Sequence, residues 1–556
     1  MLTSHLLVWY GSNKLIFLFD KMRSFNAIQE EARATNDAIK KAISSGDSSV
    51  QKFYDNAVVF VTGGSGFLGK HMIEKIFRSS NVRKVYMLLR VKKGKAVQER
   101  LKAVLDDPLF EELLKEQPNF VNKLEIVEGN SSEDNLGIDE KTWARLSDEV
   151  NIMFHVAASV NFRESLKMAT FTNIKGTREF IKLAKSCKHL KSVVHVSTAY
   201  SHATKDRVKG DVKEDFYQSP IPPETMIQLA EGVDDDKLDA MIEPFMDQWP
   251  NSYTITKAVA EDLVRVMGKG LPICIVRPAI VISAYREPTI GWVDVKNAYG
   301  PSGIILGTSL AVIRTLLADN IKIDFVPVDI VTNTMITAAL ETHDRYMAGN
   351  QQPIIFTVSG KRNPLTFGEL VDVLHNEGRP FAPSKALWYC GAYITPYKIL
   401  YLILTLILHY IPAVVIDGCC LLVGQKARLL KVYSLAQSLS SALEYFTNNE
   451  WLFEDANTLS LHNKLSETDK LIYNCDISSV DMKELSVLWT YGVVKYIVKD
   501  DMENRSYALW KQSVLRIVHY IVLPLYLYGL FKLTAGVITF TYFVVVMFCK
   551  YISVLF

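Results

Sequence analysis

The stretch "VVFVTGGSGFLGKHMIEKIF", Val58 to Phe77, restricts the possible folds of this chain more than any other segment. A run of β-branched and aromatic residues ends at Thr62, a glycine-rich turn follows, and a helical pattern starts at once. Gly63, Gly66 and Gly69 lie three apart, and Gly64-x-Gly66-x-x-Gly69 also fits the dinucleotide fingerprint. Glycines at such a turn permit the tight reversal and let the backbone approach a pyrophosphate at a helix N-terminus. A glycine match alone is weak; its strand-turn-helix setting makes it specific. Thr62, Gly63, Gly64, Ser65, Gly66, Phe67, Leu68 and Gly69 are therefore the expected cradle.

From Ala57 the chain alternates short β-rich runs with helical stretches. The runs are "AVVFVTG", "KVYMLLR", "KLEIVEGN", "NIMFHVAA", "KSVVHVSTAY" and "PICIVRPAIV", with "FTVSGKRNPLTFGEL" as a last strand and helix. That rhythm predicts an α/β fold with a doubly wound parallel sheet of Rossmann type. Past Pro380 the character shifts to aromatic and aliphatic segments. The expected division is an extension over 1–50, a dinucleotide-binding domain over 51–380, a smaller, mostly helical domain over 381–505, and a membrane-anchoring segment over 506–556. Within the extension, "SFNAIQEEARATNDAIKKAISSGDSS" is polar and helix-prone and is expected to be a mobile lead-in.

Charge nearly cancels, at +2 overall, so no nucleic-acid footprint stands out. Hydrophobic residues reach 49%, and their uneven distribution points to membrane segments rather than a greasy core. The seven cysteines lack metal spacing and read as reduced thiols facing cytosol, with no metal expected. The N-terminus lacks a basic region and cleavage site, so a signal peptide is not expected. Ile399 to Ile416 carries no formal charge but includes His409 and Pro412, and fits a buried or interfacial helix as well as a span. Ile517 to Cys549 is more apolar, interrupted only by Lys532, and as a helix would be roughly 50 Å long. It reads as one long tilted span or as a tight hairpin.

Three further features carry chemistry. The second strand ends in Arg90, with Lys92 and Lys93 following, and no acid lies between Glu74 and Glu99. A NAD site usually places an acid there, whereas a guanidinium suits a 2′-phosphate, so NADPH is the expected cofactor, held by Arg90 and Lys93. "VVHVSTAY" puts Ser197 and Thr198 at the end of a strand, facing the ligand crevice, where a hydroxyl can donate to a developing oxyanion. "NSYTITKAVAED" sets Tyr253 one helical turn from Lys257. A cation there favours phenolate and is expected to draw the tyrosine toward neutral pH.

Taken together, residues Ala57 to Thr342 resemble the extended short-chain dehydrogenase/reductases. That resemblance implies Tyr253 as proton donor, Lys257 as the nicotinamide-ribose contact, and Thr198, with Ser197 close behind, as the substrate-oxygen contact. "FHVAA", including Ala157, and "NIKGT" look like further landmarks of that family. "RPAIVISAYREPTIGWVD", "YGPSGIILG", "DFVPVDIVTN" and "VSGKRNPLTFGE" resemble the alcohol-forming fatty acyl-CoA reductases, as does the stretch from "LHYIPAVVIDG" to "YNCDISSVDMKELSVLWTYGVVKYIVKD". The chain departs from that family at Asn130, near the expected adenine site, and at Val295 and Phe367, where substrate fit is affected.

The resemblance implies reduction of a long-chain fatty acyl-CoA to a primary alcohol with two NADPH, at a membrane lipid surface. The catalytic domain is expected to face the cytosol, where reduced cofactor and acyl-CoA are available. The chain ends "SVLF" rather than in a peroxisomal signal, so endoplasmic reticulum is expected over peroxisome. A sterol or sugar-nucleotide dehydrogenase would share the same triad, and a membrane-tethered NADPH-binding protein without turnover is the rival from another class.

Overall fold

The computed structural model describes residues 18–90, 97–295, 300–503 and 505–555, with side chains between 25 and 550. Seven strands form the central sheet: β1 (Val58–Thr62), β2 (Lys84–Leu89), β3 (Leu124–Glu128), β4 (Ile152–His155), β5 (Ser192–Val196), β6 (Ile273–Pro278) and β7 (Ile354–Val358). Their order is β3-β2-β1-β4-β5-β6-β7, and every neighbouring pair is parallel. These are the runs expected from sequence. Strands β1, β4, β5 and β6 are buried along their whole length, which is why they read as continuous rather than alternating. The order reverses between β1 and β4, opening a crevice at the carboxyl ends of the strands.

The helices that position the site are α1 (Leu18–Ser45), α2 (Phe67–Ser79), α3 (Val97–Leu105), α4 (Ser252–Met267), α5 (Val328–Met347), α6 (Phe367–Asn376), α7 (Lys398–Leu422), α8 (Met482–Gly492) and α9 (Ser506–Leu555). Successive side chains of a strand point to opposite faces. Val59 and Val61 therefore join one core with Met72 and Ile76 of α2 and Val331 and Met335 of α5. Val58 and Phe60 join a second core with Phe180 and with Val264 of α4. The result is a sheet covered on both faces.

The region after Pro380 shares the first of these cores. Trp451, Phe453, Ile472 and Trp489 pack in one cluster with Val59 and Val61. Strand Leu452–Phe453 pairs in parallel with Asp211–Val212. Lys75 of α2 is buried and donates to Glu287 Oε2 at 2.6 Å and to the Ile472 carbonyl at 2.5 Å. The nucleotide-side helix and the C-terminal region are thus tied together.

Two expectations change shape. From Leu18 the N-terminal extension is not a mobile lead-in but the docked helix α1. Phe25, Ala32 and Ile39, seven apart, form a buried stripe that the polar composition conceals. The Phe25 ring lies 4.7 Å from that of Phe381 and 4.8 Å from that of Tyr491, and Asn36 donates to the Arg286 carbonyl at 3.1 Å. At the other end α9 runs 50 residues without a break, Pro524 and Lys532 inside it, so the hairpin alternative is not adopted. Both α7 and α9 are long and apolar enough to cross a membrane. The Tyr526 hydroxyl of α9 donates to the Ile407 carbonyl of α7 at 2.7 Å, which joins the two.

Candidate active site

The turn between β1 and α2 is built so that backbone alone lines it. Gly63 has φ +74°, and a Cβ there would stand 2.5 Å from the Ala157 nitrogen, beyond the end of β4. Ala157 also donates its N–H to Thr62 Oγ1 at 3.3 Å, so β4 and β1 close on the turn from two sides. A Cβ on Gly69 would overlap the Gly63 carbonyl, which sets how closely α2 approaches the strand. Gly66 caps α2 with no side chain over it, leaving the first N–H groups of the helix for a ligand. Ser65, Phe67 and Leu68 are half-buried at the rim, and the Phe67 ring lies 5.2 Å from that of Trp292. This close backbone packing, which side chains at Gly63 and Gly69 would disrupt, fits the tight turn of a dinucleotide-pyrophosphate site.

Arg90 is exposed at the end of β2. Lys93, the other expected phosphate contact, lies outside the described residues. Sequence reasoning missed Arg100 of α3, whose guanidinium donates to the Arg90 carbonyl. Burial and the neighbouring Arg90 both hold Arg100 below its ordinary pKa, the signature of two cations crowded together. Asn130 turns its side chain to its own loop, accepting from Ser132 Oγ at 2.9 Å and donating to Glu133 Oε1 at 2.8 Å.

Helix α4 brings the second half of the site. Asn251 caps it, accepting from the Thr254 N–H at 3.0 Å, so Tyr253 sits in its first turn. The Tyr253 phenol lies beside the Thr198 side chain, close enough for that hydroxyl to act on its pKa, and its ring lies 5.8 Å from Phe162. Thr198 is held in turn by the Tyr200 N–H, which donates to its Oγ1 at 3.2 Å. Lys257, one turn on, is buried and donates to the Val196 carbonyl at 2.7 Å.

Burial pushes the Tyr253 phenol up to about 12, with the neighbouring Thr198 hydroxyl opposing. The expectation that Lys257 draws the phenol toward neutral pH is not met in this arrangement, because the ammonium is turned to the β5 carbonyl. Burial lowers Lys257 itself to about 8, and Glu261 opposes that shift.

Ser197 and Thr198 separate by direction. Ser197 donates to Glu261 Oε1 at 2.5 Å, away from Tyr253, and belongs to a buried cluster with Ser201, His202 and Arg277. It therefore supports the strand end rather than facing the tyrosine. Burial raises the cost of the Glu261 charge, but Arg277 and His202 hold its carboxyl well below the ordinary range. Glu261 was legible: Tyr253, Lys257 and Glu261 fall four apart on one helix face. Asn173 was not read as a positioning group. It donates to Thr256 Oγ1 at 2.9 Å and accepts from the Ser159 N–H at 2.9 Å, tying α4 to the loop after β4.

Comparison with known proteins agrees with this geometry. An NAD-binding family model described as "Male sterility protein" matches residues 61–335, and a second model of the same description matches 408–500. Fatty acyl-CoA reductase wat of Drosophila melanogaster is 35% identical over 496 residues, 88% of this chain and 94% of that protein. Fatty acyl-CoA reductase 1 of Rattus norvegicus is 32% identical, covering 85% of this chain and 90% of that one. The terminal R domain of the myxalamid PKS-NRPS pathway superposes with a TM-score of 0.51 at 19% identity, over 79% of this chain and 90% of that domain, which shows a shared fold. A glycine cradle for a nicotinamide dinucleotide, a Tyr–Lys helix beside it, and identity of this extent over nearly the whole chain place the protein in the fatty acyl-CoA reductase family.

Proposed function

We propose that this protein reduces long-chain fatty acyl-CoA to the primary alcohol, releasing CoA and consuming two NADPH. The observation that carries the reading is the placement of Tyr253 beside Thr198, set at the carboxyl edge of the sheet beside the Gly63–Gly69 turn. Residues Gly63 to Gly69 would hold the pyrophosphate, Arg90, Arg100 and Lys93 the 2′-phosphate, and Lys257 the nicotinamide ribose. When bound, that group supplies hydride, first to a thioester carbon and in a second round to the aldehyde carbon.

The Tyr253 and Thr198 hydroxyls donate to the substrate oxygen as negative charge gathers on it. In the aldehyde step Tyr253 yields its proton to that oxygen, while Lys257, one turn away, is kept for the nicotinamide ribose. Ser197, Glu261 and Arg277 keep the end of β5 fixed, so that Thr198 stays within reach of Tyr253.

A phenol at about 12 holds its proton throughout neutral pH, as a donor must. Placement at the endoplasmic reticulum membrane with the site facing the cytosol belongs to the same proposal, and the outward apolar faces of α7 and α9 support its attachment to a membrane.

Tyr253→Phe is expected to lower alcohol formation by ~10²–10⁴-fold while NADPH still binds, measured by gas chromatography and fluorescence titration. Turnover near the wild-type rate would remove Tyr253 from this role. Arg90→Ala should weaken NADPH about tenfold or more and leave NADH unchanged, because only the 2′-phosphate contact is lost.

A further inference from the structure

Resting on the acyl-CoA reading, we propose that an apolar cavity between α6, α8 and the start of α9 receives the distal end of the acyl chain. The cavity has a volume of about 160 Å³ and is lined by Ile305, Phe325, Phe367, Leu370, Leu374 and Trp489, with Gln512 of α9 at one side. Three of the polar groups in its wall, which also includes Arg379, His375 and Tyr389, have these partners within the protein. Trp489 Nε1 donates to Ser302 Oγ at 3.1 Å, Gln512 Oε1 accepts from the Cys390 N–H at 3.1 Å, and Cys390 Sγ donates to the Ser309 carbonyl at 2.9 Å. A wall that is mostly apolar, with its polar residues in the minority, suits a ligand segment that is largely hydrocarbon.

Three placements select an alkyl chain as the occupant. First, the cavity and the reaction site are close along the backbone. Phe325 lies on the short strand Phe325–Pro327, paired with Ile280, two residues past Pro278, whose carbonyl lies 3.4 Å from Thr198 Oγ1. Two residues of strand span about 7 Å. One acyl chain spans roughly half of a ~30 Å hydrocarbon core, which is ample to bridge that step.

Second, the opposite side of the cavity belongs to the membrane-directed part of the chain. Gln512 is on α9, and Ile394 lies on strand Tyr393–Thr395, immediately before α7. Third, size fits a chain end. A cavity near 150 Å³ lined by Leu, Ile and Phe holds benzene, so this one takes on the order of six carbons. Phe367, which the sequence singles out as a departure affecting substrate fit, is one of its walls.

The cavity would then set chain-length preference. Each methylene that enters should improve kcat/KM about fourfold, equivalent to ~0.8 kcal/mol, until the cavity is full. The test uses full-length protein in lipid nanodiscs, assayed with acyl-CoAs from decanoyl to stearoyl. Leu374→Trp, which fills the cavity, should lower the ratio of kcat/KM for palmitoyl-CoA over decanoyl-CoA by tenfold or more. Palmitoyl-CoA bearing a terminal diazirine should label wild-type peptides containing Leu370, Leu374 or Trp489.

The labelling needs neither turnover nor a variant, so it decides the matter even if the tryptophan variant fails to fold. An unchanged chain-length ratio in a folded variant, or label confined to the outer faces of α7 and α9, would overturn the subsite. A wild-type protein that reduces no acyl-CoA of any length would instead refute the reaction.

Discussion

Gly63 shows how much a single residue can decide. Its φ of +74° already disfavours any side chain, and a Cβ would stand 2.5 Å from backbone of Ala157. Gly63→Ala is expected to abolish dinucleotide binding and to lower the melting temperature, read by titration and thermal unfolding of the same sample. Lys257 sets the alkaline limb. Its folded pKa of about 8 means that the ammonium is lost as pH rises through 8, while Tyr253, at about 12, stays protonated. The free enzyme's kcat/KM should therefore fall above pH 8, and a profile flat to pH 9.5 would contradict a charged role for Lys257. The effect on stability has the opposite sign: between 8 and lysine's ordinary 10.5 the unfolded chain binds a proton that the folded one lacks, so stability gains with pH there. On the acid side His155 acts together with the buried His71, His195 and His202, all of which burial lowers. Burial lowers His155 to about 3, and Lys257 adds to the shift. Below 6.5 the unfolded chain takes up this proton first, so stability is lost as pH falls, by ~2 kcal/mol between pH 7 and 5. His155→Phe should make that part of a melting-temperature profile shallower by its own share. The type and spacing of Tyr253, Lys257 and Thr198 were legible in the sequence; the turning of Ser197 away from the tyrosine was not, because Glu261 and Arg277 reach it only once α4 and β6 pack against β5.

Among the elements, the strands were the most legible. Burial on both faces leaves unbroken runs of Val, Ile and Phe, and a glycine or proline stands at or just past the end of β1, β3, β6 and β7. Helix α1 was the least legible, because its partners Phe381 and Tyr491 lie hundreds of residues away and its own composition is polar. Phe25→Ala should cost about 3–5 kcal/mol if the site does not collapse, measured by denaturant unfolding, whereas a mobile lead-in would show no change. Helix α4 depends on its cap. Asn251→Ala removes the acceptor for the Thr254 N–H and should cost ~1 kcal/mol of stability. The frayed first turn carries Tyr253, so kcat should fall more than KM changes.

At the scale of the whole molecule, the two apolar helices have separable consequences. α7 keeps part of its surface against the protein, with Tyr401 and Ala413 buried and Ile399, Leu402 and Leu406 facing out, whereas the outer part of α9 is bare. Deleting residues 521–556 should convert a carbonate-resistant membrane protein into one that carbonate extracts, with α7 still adsorbing to lipid; full solubility in plain buffer would show that α7 does not contact the bilayer. The sequence by itself determined the parallel sheet, the glycine cradle, the Tyr–Lys pair and the apolar terminus, because each rests on local stereochemistry or on hydrophobic pattern within one segment. The docking of α1, the shared core that joins the C-terminal region to the reductase sheet, the Glu261 cluster and the cavity beside Phe367 were decided only by tertiary structure. Each is made of side chains distant in the chain, and no local pattern records which distant surface a residue will meet.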